Sequence, residues 1–560
     1  MNRNLTELTN QIYDLLVIGG GIYGACVAWE ASLRGLSVAL VEKADFGGAT
    51  SANSLKIIHG GLRYLQNADF KRMRESIQER TTLMRIAPHL VHPLPVLIPT
   101  YGHGMKGKEA LRLAMSINDL ISCDRNQIKD PQKHIPNGRI ISQQECQRLL
   151  PGIPHHGLTG GAIFHDAQVY NSERMTISFL HSAVKVGATI ANYVEATGFL
   201  QQGNRITGII ARDSLSGNQF EIRAKTVVNT CGPWINRLMG LVEEFPYQQP
   251  KAGLARAMNL IIRRPLCANY AVGISNRNRN SVTKKGNRFL FMAPWRGQTM
   301  IGTNYAVWDG KPDDFRVSES DIQDFIQEIN QAYPLANLTR EDVSFIHGGL
   351  LPRIGVDAKT GEPILAKHYQ IYDSSRVGLT GLISVVGVKY TTARDVAQKV
   401  VDRVFQFWGQ KPPQSLSSVT PIYGGKIDNF EELLQNATAQ KPDELSEKDV
   451  HSLVYNYGCA YPQVLKYLNY QLESHRTPVD KFSMLKAEVI HAVREEMAQK
   501  LTDVVFRRTE LGSMGNPGNE ALQICTQTMA MELGWNYTRI QQELQEVNNI
   551  LKSTSPMHIY

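Results

Sequence analysis

The chain has 560 residues, 42% of them apolar and 20% charged, a globular balance with core enough for two or three domains. Its 60 basic and 52 acidic residues leave a formal charge of +8, too diffuse to argue for nucleic acid and suited to an anionic substrate or an anionic membrane surface. No apolar run is long enough for a transmembrane helix, the first residues lack the basic and apolar regions of a secretory signal, and seven scattered cysteines show neither a C-x-x-C pair nor metal spacing, so a cytoplasmic protein without a metal site is expected.

Tyr13 to Ile18 reads as a buried strand, and it runs into Gly19, Gly21 and Gly24 in the spacing G-x-G-x-x-G. Ile22 to Arg34 has the small and apolar residues of a tightly packed helix, Ser37 to Val41 is a second strand, and Glu42 closes it. Together these form a complete βαβ dinucleotide fingerprint. Gly19 permits the tight turn, Gly21 lets the backbone approach a pyrophosphate, and Gly24 lets helix and strand pack closely. The helix N-terminus offers unpaired N–H groups to the phosphates, and Glu42 can accept hydrogen bonds from ribose hydroxyls. NAD and FAD both remain open at this point.

Further along, Arg72 to Asp124 reads as helical with a Pro-rich interruption at His92-Pro93-Leu94-Pro95. Gly161 to Tyr170 reads as extended, and Ser172 to Gly187 as an amphipathic helix. Thr189 to Phe199 is an expected strand, Arg205–Asp213 and Gln219–Arg223 an expected hairpin, and Thr226 to Asn229 a strand ending in Thr230-Cys231-Gly232-Pro233-Trp234. Residues 245–360 are β-rich, with strands near Met258–Ile262, Arg288–Met292 and Thr299–Thr303; Lys284, Lys285 and Arg288 sit in a polar loop and read as a solvated face. Residues 376–408 return to strand, glycine loop and helix, and after a polar linker the tail is helical, including Lys486–Gln499 and Ala521–Leu551.

The expected fold class is therefore α/β: a Rossmann-like FAD-binding domain, an inserted β-rich substrate domain and a C-terminal helical domain. The nucleotide domain is discontinuous (13–75, 150–245 and 376–408), the substrate or cap domain takes 76–149 and 246–375, and the helical domain 419–560. Interleaving of this kind favours FAD over NAD, whose domains are more often continuous.

Three more stretches carry chemistry. In Ser51-Ala52-Asn53-Ser54-Leu55-Lys56-Ile57-Ile58-His59-Gly60-Gly61-Leu62-Arg63-Tyr64, two glycines allow close approach to a planar ring, Arg63 offers a fork for phosphate and His59 can take a proton near neutral pH. A packed histidine and a surface ion pair are the plainer readings of His59 and Arg63. Gly232, after its strand, lets the chain pass close to a nucleotide, and Val194 can face the adenine; a Gly-Pro turn alone also explains Gly232. Gly387-Val388-Lys389-Tyr390-Thr391-Thr392-Ala393-Arg394 joins a strand to a helix starting near Thr391, whose N–H groups, with Lys389, can stabilise an anionic flavin edge. An ordinary lysine at a βα turn is the alternative.

At these residues the chain resembles the FAD-dependent glycerol-3-phosphate dehydrogenase family, within the D-amino-acid oxidase-like flavoproteins. The resemblance rests on Gly19-Gly20-Gly21-Ile22-Tyr23-Gly24, Lys56 to Tyr64, Ile301-Gly302-Thr303, Lys389 to Arg394 and, in the tail, Asp503-Val504-Val505-Phe506-Arg507-Arg508-Thr509-Glu510-Leu511-Gly512. It implies FAD as cofactor, held by Gly19, Gly21, Gly24, Glu42, Ser51, Lys56, Gly60, Gly61, Val194, Gly232, Gly387 and Thr391. It implies oxidation of sn-glycerol 3-phosphate to dihydroxyacetone phosphate, with His59, Arg63 and Lys389 catalytic and Arg63, Tyr64, Arg353 and Lys389 around the substrate. It further implies a quinone or other electron acceptor and peripheral association with the inner face of the cytoplasmic membrane, and it is compatible with a homodimer. Two departures stand out. Gly349-Leu350-Leu351-Pro352-Arg353 has Leu351 where the family usually has an arginine, and Gly302-Thr303-Asn304-Tyr305 replaces the family's Gly-Thr-Thr-Asp. The leucine keeps open an amino-acid or hydroxy-acid flavoenzyme, and the altered pocket a non-catalytic flavin-binding module.

Overall fold

The computed structural model describes residues 1–102, 107–242, 253–275, 289–475 and 482–554. In chain order the strands are β1 Ile12–Ile18, β2 Val38–Val41, β3 Ile57–Ile58, β4 Val91–Tyr101, β5 Arg139–Ile141, β6 Leu158–Val169, β7 Thr189–Ala191, β8 Val194–Gln202, β9 Arg205–Asp213, β10 Gln219–Asn229, β11 Gly253–Ile262, β12 Ala271–Ser275, β13 Phe289–Trp295, β14 Gln298–Trp308, β15 Val343–Val356, β16 Pro363–Leu365, β17 Gln370–Asp373 and β18 Leu382–Val386.

The apolar runs Leu15–Ile18, Val38–Val41 and Val227–Val228 are buried on both faces, as parallel strands covered by helices must be. β1 lies between β2 and β10, all parallel, within an eight-stranded sheet of order β17-β18-β10-β1-β2-β7; β9 joins at β10 and β8 pairs β9. Helices Ile22–Leu33, Ser172–Lys185 and Ala393–Phe407 pack on it, with Trp29 edge-on to Phe179 at 5.3 Å and Val396, Val400 and Val404 in the same core.

A second, ten-stranded sheet runs β16-β15-β11-β14-β13-β12-β4-β6-β3, with β5 on β6. The C-terminal helices cover part of it: Ile261, Trp295 and Phe345 share a core with Val504, Leu522 and Val547. The site lies where the two sheets meet, because β3 carries the Lys56–Tyr64 stretch from the first sheet onto the edge of the second.

Several expectations need correction. The prolines at 93, 95 and 99 do not interrupt a helix; a helix Phe70–Ile86 ends first, and the prolines lie within β4, paired to β6 from Val91 to Tyr101. Pro93, Pro95 and Pro99 have the same parity, so their missing N–H groups face one side, the side β12 reaches only at Val96 and Leu97. β6, placed with the nucleotide half from sequence, pairs in the second sheet, where antiparallel register with β4 from Val91 to Tyr101 holds it. The 189–199 strand is two strands, broken at Asn192–Tyr193 where Tyr193 has φ +56°, whereas Gln219–Asn229 is a single strand. The 521–551 helix is two helices, Asn519–Leu533 and Tyr537–Thr554, divided at Gly534 with φ +67°. Lys284, Lys285 and Arg288 lie outside the described residues.

Candidate active site

The dinucleotide end is built by close backbone packing. Gly19 has φ +103°, and a Cβ there would lie 2.9 Å from the Thr230 carbonyl oxygen; a Cβ on Gly24 would collide with the Gly19 carbonyl. Both glycines are therefore required by the turn itself. Gly21 begins the helix Ile22–Leu33, and the Ser51 hydroxyl accepts from the Ile22 N–H at 3.0 Å. The Glu42 carboxylate accepts from Gly20 N–H at 2.7 Å and Ala44 N–H at 3.0 Å, which fixes it at the end of β2. Burial pushes its pKa up against those two bonds, so a further donor such as a ribose hydroxyl would be well received. Val194 N–H donates to the Glu42 carbonyl at 2.8 Å, placing Val194 beside it. Gly232, at φ +54°, has nothing within 4 Å of where a Cβ would stand. Open space therefore lies over the turn that the fingerprint frames.

The other end gathers the remaining stretches. Asp166 on β6 accepts from Gly60 N–H at 2.6 Å and pairs with Arg80 at 3.3 Å, while a Cβ on Gly60 would collide with the Arg80 guanidinium. Gly61, at φ +79°, turns the chain into a short 3-10 helix Leu62–Asn67, and a Cβ on it would lie 2.6 Å from the Tyr64 ring. Tyr64 is buried; His59 meets its ring edge-on at 5.8 Å, the Lys389 Nζ lies 4.3 Å from its centroid and the Arg72 guanidinium 4.2 Å. Arg63 lies in the same short helix, and its side chain is outside the described residues.

The Lys389 turn is pinned from the fingerprint helix. The Tyr23 hydroxyl donates to the Lys389 carbonyl at 2.8 Å and accepts from the N–H groups of Val388 and Lys389 at 3.2 Å each. A Cβ on Gly387 would collide with the Tyr23 ring. Thr391 is buried just before the helix Ala393–Phe407.

A cavity of about 2550 Å³ joins both ends and is lined by Gly19, Gly21, Glu42, Ser51, His59, Gly61, Tyr64, Arg72, Val194, Gly232, Gly387, Lys389 and Thr391, but not by Gly24, Lys56 or Gly60. Lys56 is the clearest departure from expectation. Its ammonium is buried and donates to Ala52 carbonyl and Ser172 hydroxyl at 2.7 Å each and to Glu173 at 2.7 and 2.8 Å. It ties the loop to the helix Ser172–Lys185 and has no donor left for a ligand. Arg353 lines the cavity, but its Nε donates to the Leu254 carbonyl at 2.9 Å and its Nη2 to Asp309 at 2.6 Å. Leu351, two residues back on β15 and so on the same strand face, lines the cavity with an apolar surface.

Tyr23, Asp166, Arg72 and Asp45 escape a reading by sequence. Tyr23 lies inside the fingerprint run, where its partner 366 residues away is invisible. Asp45 follows Glu42 by three residues and receives Arg507 Nε at 2.5 Å and Arg508 Nη1 and Nη2 at 2.8 Å each. Only the tail run Asp503 to Gly512 hinted at that contact.

Fold and site together define a flavin-type dinucleotide oxidoreductase. Residues 14–393 match the family described as FAD dependent oxidoreductase, and residues 415–540 match the C-terminal domain of alpha-glycerophosphate oxidase. A glycerol-3-phosphate dehydrogenase of Synechocystis sp. is 33% identical over 98% of this chain and 98% of its own length. An aerobic glycerol-3-phosphate dehydrogenase of Staphylococcus haemolyticus is 29% identical over 98% of this chain and 96% of its own. The crystal structure of the glycerol-3-phosphate dehydrogenase from Bacillus halodurans, complexed with FAD, has the same fold, with a TM-score of 0.78 over 99% of this chain and 98% of that one at 24% identity. The chain belongs to the FAD dependent oxidoreductase family, among the glycerol-3-phosphate dehydrogenases.

Proposed function

We propose that the protein oxidises sn-glycerol 3-phosphate to dihydroxyacetone phosphate, using bound FAD. The observation that carries this reading is the meeting of the Lys56–Tyr64 stretch with the Lys389 turn, Lys389 Nζ 4.3 Å from the Tyr64 centroid, inside the cavity that also holds the dinucleotide turn. The fit to FAD is supported by the open space at Gly232, the half-buried Glu42 carboxylate at the cavity wall and the glycine cradle at Gly19 and Gly21. When bound, FAD supplies the acceptor for the C2 hydride.

In this reading Gly19, Gly21 and Gly24 shape the turn for the pyrophosphate, Ser51 steadies the first helical N–H, and Glu42 accepts from the ribose. Gly61, Gly387 and Thr391 let the chain lie against the ring, while Gly60 makes room for Arg80 behind it. His59 takes the C2 hydroxyl proton; Lys389 and Arg63 lower the energy of the developing oxyanion and orient the phosphate. Tyr64 is the apolar floor on which the cations rest. The division into a discontinuous nucleotide domain, a substrate domain and a C-terminal helical domain belongs to the same reading.

The electron acceptor is a quinone, met at the inner face of the membrane, and the chain attaches peripherally; a homodimer is compatible with this. No described helix is long and apolar enough to cross a membrane. A net charge of +8 supports an anionic surface as the place of attachment.

Leu351 favours a second reading, an amino or hydroxy acid as substrate, because one arginine expected around the substrate anion is missing. Stopped-flow bleaching of the flavin decides between them. Glycerol 3-phosphate must reduce the flavin faster than every amino and hydroxy acid in a panel. Faster reduction by one of those acids establishes the second reading, and no bleaching by any compound despite stoichiometric FAD leaves a flavin-binding module without turnover.

A further inference from the structure

The geometry points to Arg72 as a substrate-anion residue, a further cation in the cavity where Leu351 stands in place of the family's arginine. This rests on the reading of the site as one for a phosphorylated polyol.

Arg72 stands in the first turn of the helix Phe70–Ile86, eight positions beyond Tyr64, and lines the same cavity. Its guanidinium lies 4.2 Å from the Tyr64 centroid and the Lys389 ammonium 4.3 Å from it, so the two cations are no farther apart than those distances together. Two positive charges held on one aromatic ring repel each other unless an anion is shared between them. The carboxylate present is Asp69, whose Oδ2 lies 3.3 Å from Arg72 Nη1 while its Oδ1 accepts from the Arg72 backbone N–H at 3.2 Å as the helix N-cap. That contact engages one corner of the guanidinium. The Nε is buried and has no hydrogen-bond partner among the described residues.

A buried, unpaired guanidinium N–H costs free energy, and a rotation of the Arg72 side chain that turns Nε with Nη2 to the cavity would offer a fork to two phosphate oxygens. Arg353 does not compete for the role, because Leu254 and Asp309 hold two of its donor groups. Arg72 reaches the Tyr64–Lys389 side of the cavity from a helix, whereas Leu351 lines the cavity from β15.

The test uses the full-length holoenzyme, wild type, Arg72→Gln and Arg72→Lys, with FAD content checked by absorbance. Two measurements are made: flavin reduction by glycerol 3-phosphate, and titration with inorganic phosphate read as a perturbation of the flavin spectrum. Arg72→Gln is expected to raise KM for glycerol 3-phosphate and the Kd for phosphate each by roughly 30-fold, with kcat changed far less, and Arg72→Lys to recover part of both. Values within threefold of wild type in both measurements overturn the assignment. So does an Arg72→Gln protein that purifies without flavin, since the residue would then be structural. If wild-type flavin is not reduced by glycerol 3-phosphate, the proposed reaction fails, and the phosphate titration still decides whether Arg72 holds an anion.

Discussion

The Tyr23 hydroxyl donates to the Lys389 carbonyl at 2.8 Å, joining the first turn of the fingerprint helix to a loop 366 residues later. The same oxygen accepts from two backbone N–H groups of that loop. Burial pushes the phenol pKa up to about 12, so it stays a donor at any working pH. The fingerprint helix and the Lys389 loop are thus tied to each other, and the residues proposed to act on substrate are held by the element proposed to hold pyrophosphate.

Tyr23→Phe removes the bridge and keeps the ring that fills the space beside Gly387. Losing a buried donor that also served as acceptor costs about 1–3 kcal/mol. FAD affinity, measured by flavin fluorescence on reconstitution of apoprotein, is expected to fall roughly tenfold or more. An unchanged Kd would mean that the loop is set by other contacts.

Lys389→Met keeps length and apolar bulk while deleting the charge beside Tyr64. Its expected effect is a loss of about 10²–10³ in the rate of flavin reduction by glycerol 3-phosphate, with FAD still bound. A variant that reduces at the wild-type rate would remove Lys389 from the proposed chemistry.

The sequence made the nucleotide half legible because local rules govern it: an apolar strand, three spaced glycines and an acid describe one βαβ unit whose parts touch each other. Strand β1, its helix and β2 lie within one or two residues of expectation. Legibility failed where pairing is distant. The prolines of β4 look like a helix breaker until β6, more than sixty residues on, is seen to supply the register. Lys56 looked like a ligand for the cofactor because it stands in the Ser51–Tyr64 stretch; its actual partner, Glu173, carries no local mark. Arg72 looked like the start of a helix and nothing more, since its meaning depends on Tyr64 and Lys389 sharing one cavity.

Lys56 makes a further prediction. Burial lowers its pKa to about 8 in spite of the paired Glu173 carboxylate. The folded protein therefore releases this proton more readily than the unfolded chain, whose lysines titrate at about 10.4. Between about pH 8 and 10 the unfolded state binds more protons, so this group alone makes stability rise with pH there. Lys56→Met abolishes that contribution and leaves Glu173 buried without its cation, at a cost of about 3–5 kcal/mol near neutral pH. Thermal unfolding across pH 6 to ~10 should show a lower Tm for the variant and the loss of the alkaline rise attributable to this residue.

The last prediction concerns the C-terminal domain. Asp45 is buried, which raises its pKa, but Arg508 and Arg507 more than offset this and hold it well below the usual carboxylate range. Asn192 also donates to it at 3.1 Å, and the Tyr193 hydroxyl donates to the neighbouring Asp503 at 2.6 Å. The folded state thus binds fewer protons at Asp45 than the unfolded chain, whose aspartates titrate at about 3.9. Its contribution to stability is present above about pH 4 and is lost as pH falls below it. Asp45→Ala takes a carboxylate from Arg508 and Arg507 at the contact of the nucleotide loop with the helical domain, leaving Arg507 to Asp503 at 2.7 Å and Arg508 to the Glu496 carbonyl at 3.0 Å, an expected cost of about 3 kcal/mol. The variant should unfold at lower temperature at neutral pH, with part of the difference from wild type disappearing in acid, where the wild-type carboxylate takes up its proton. Limited proteolysis offers a second readout: cleavage in the linker near residues 409–418 should accelerate in Asp45→Ala if this clamp is what docks the tail. Equal cleavage rates and an unchanged Tm would show that the apolar contact of Ile261, Trp295 and Phe345 with the C-terminal helices is sufficient to hold the two together.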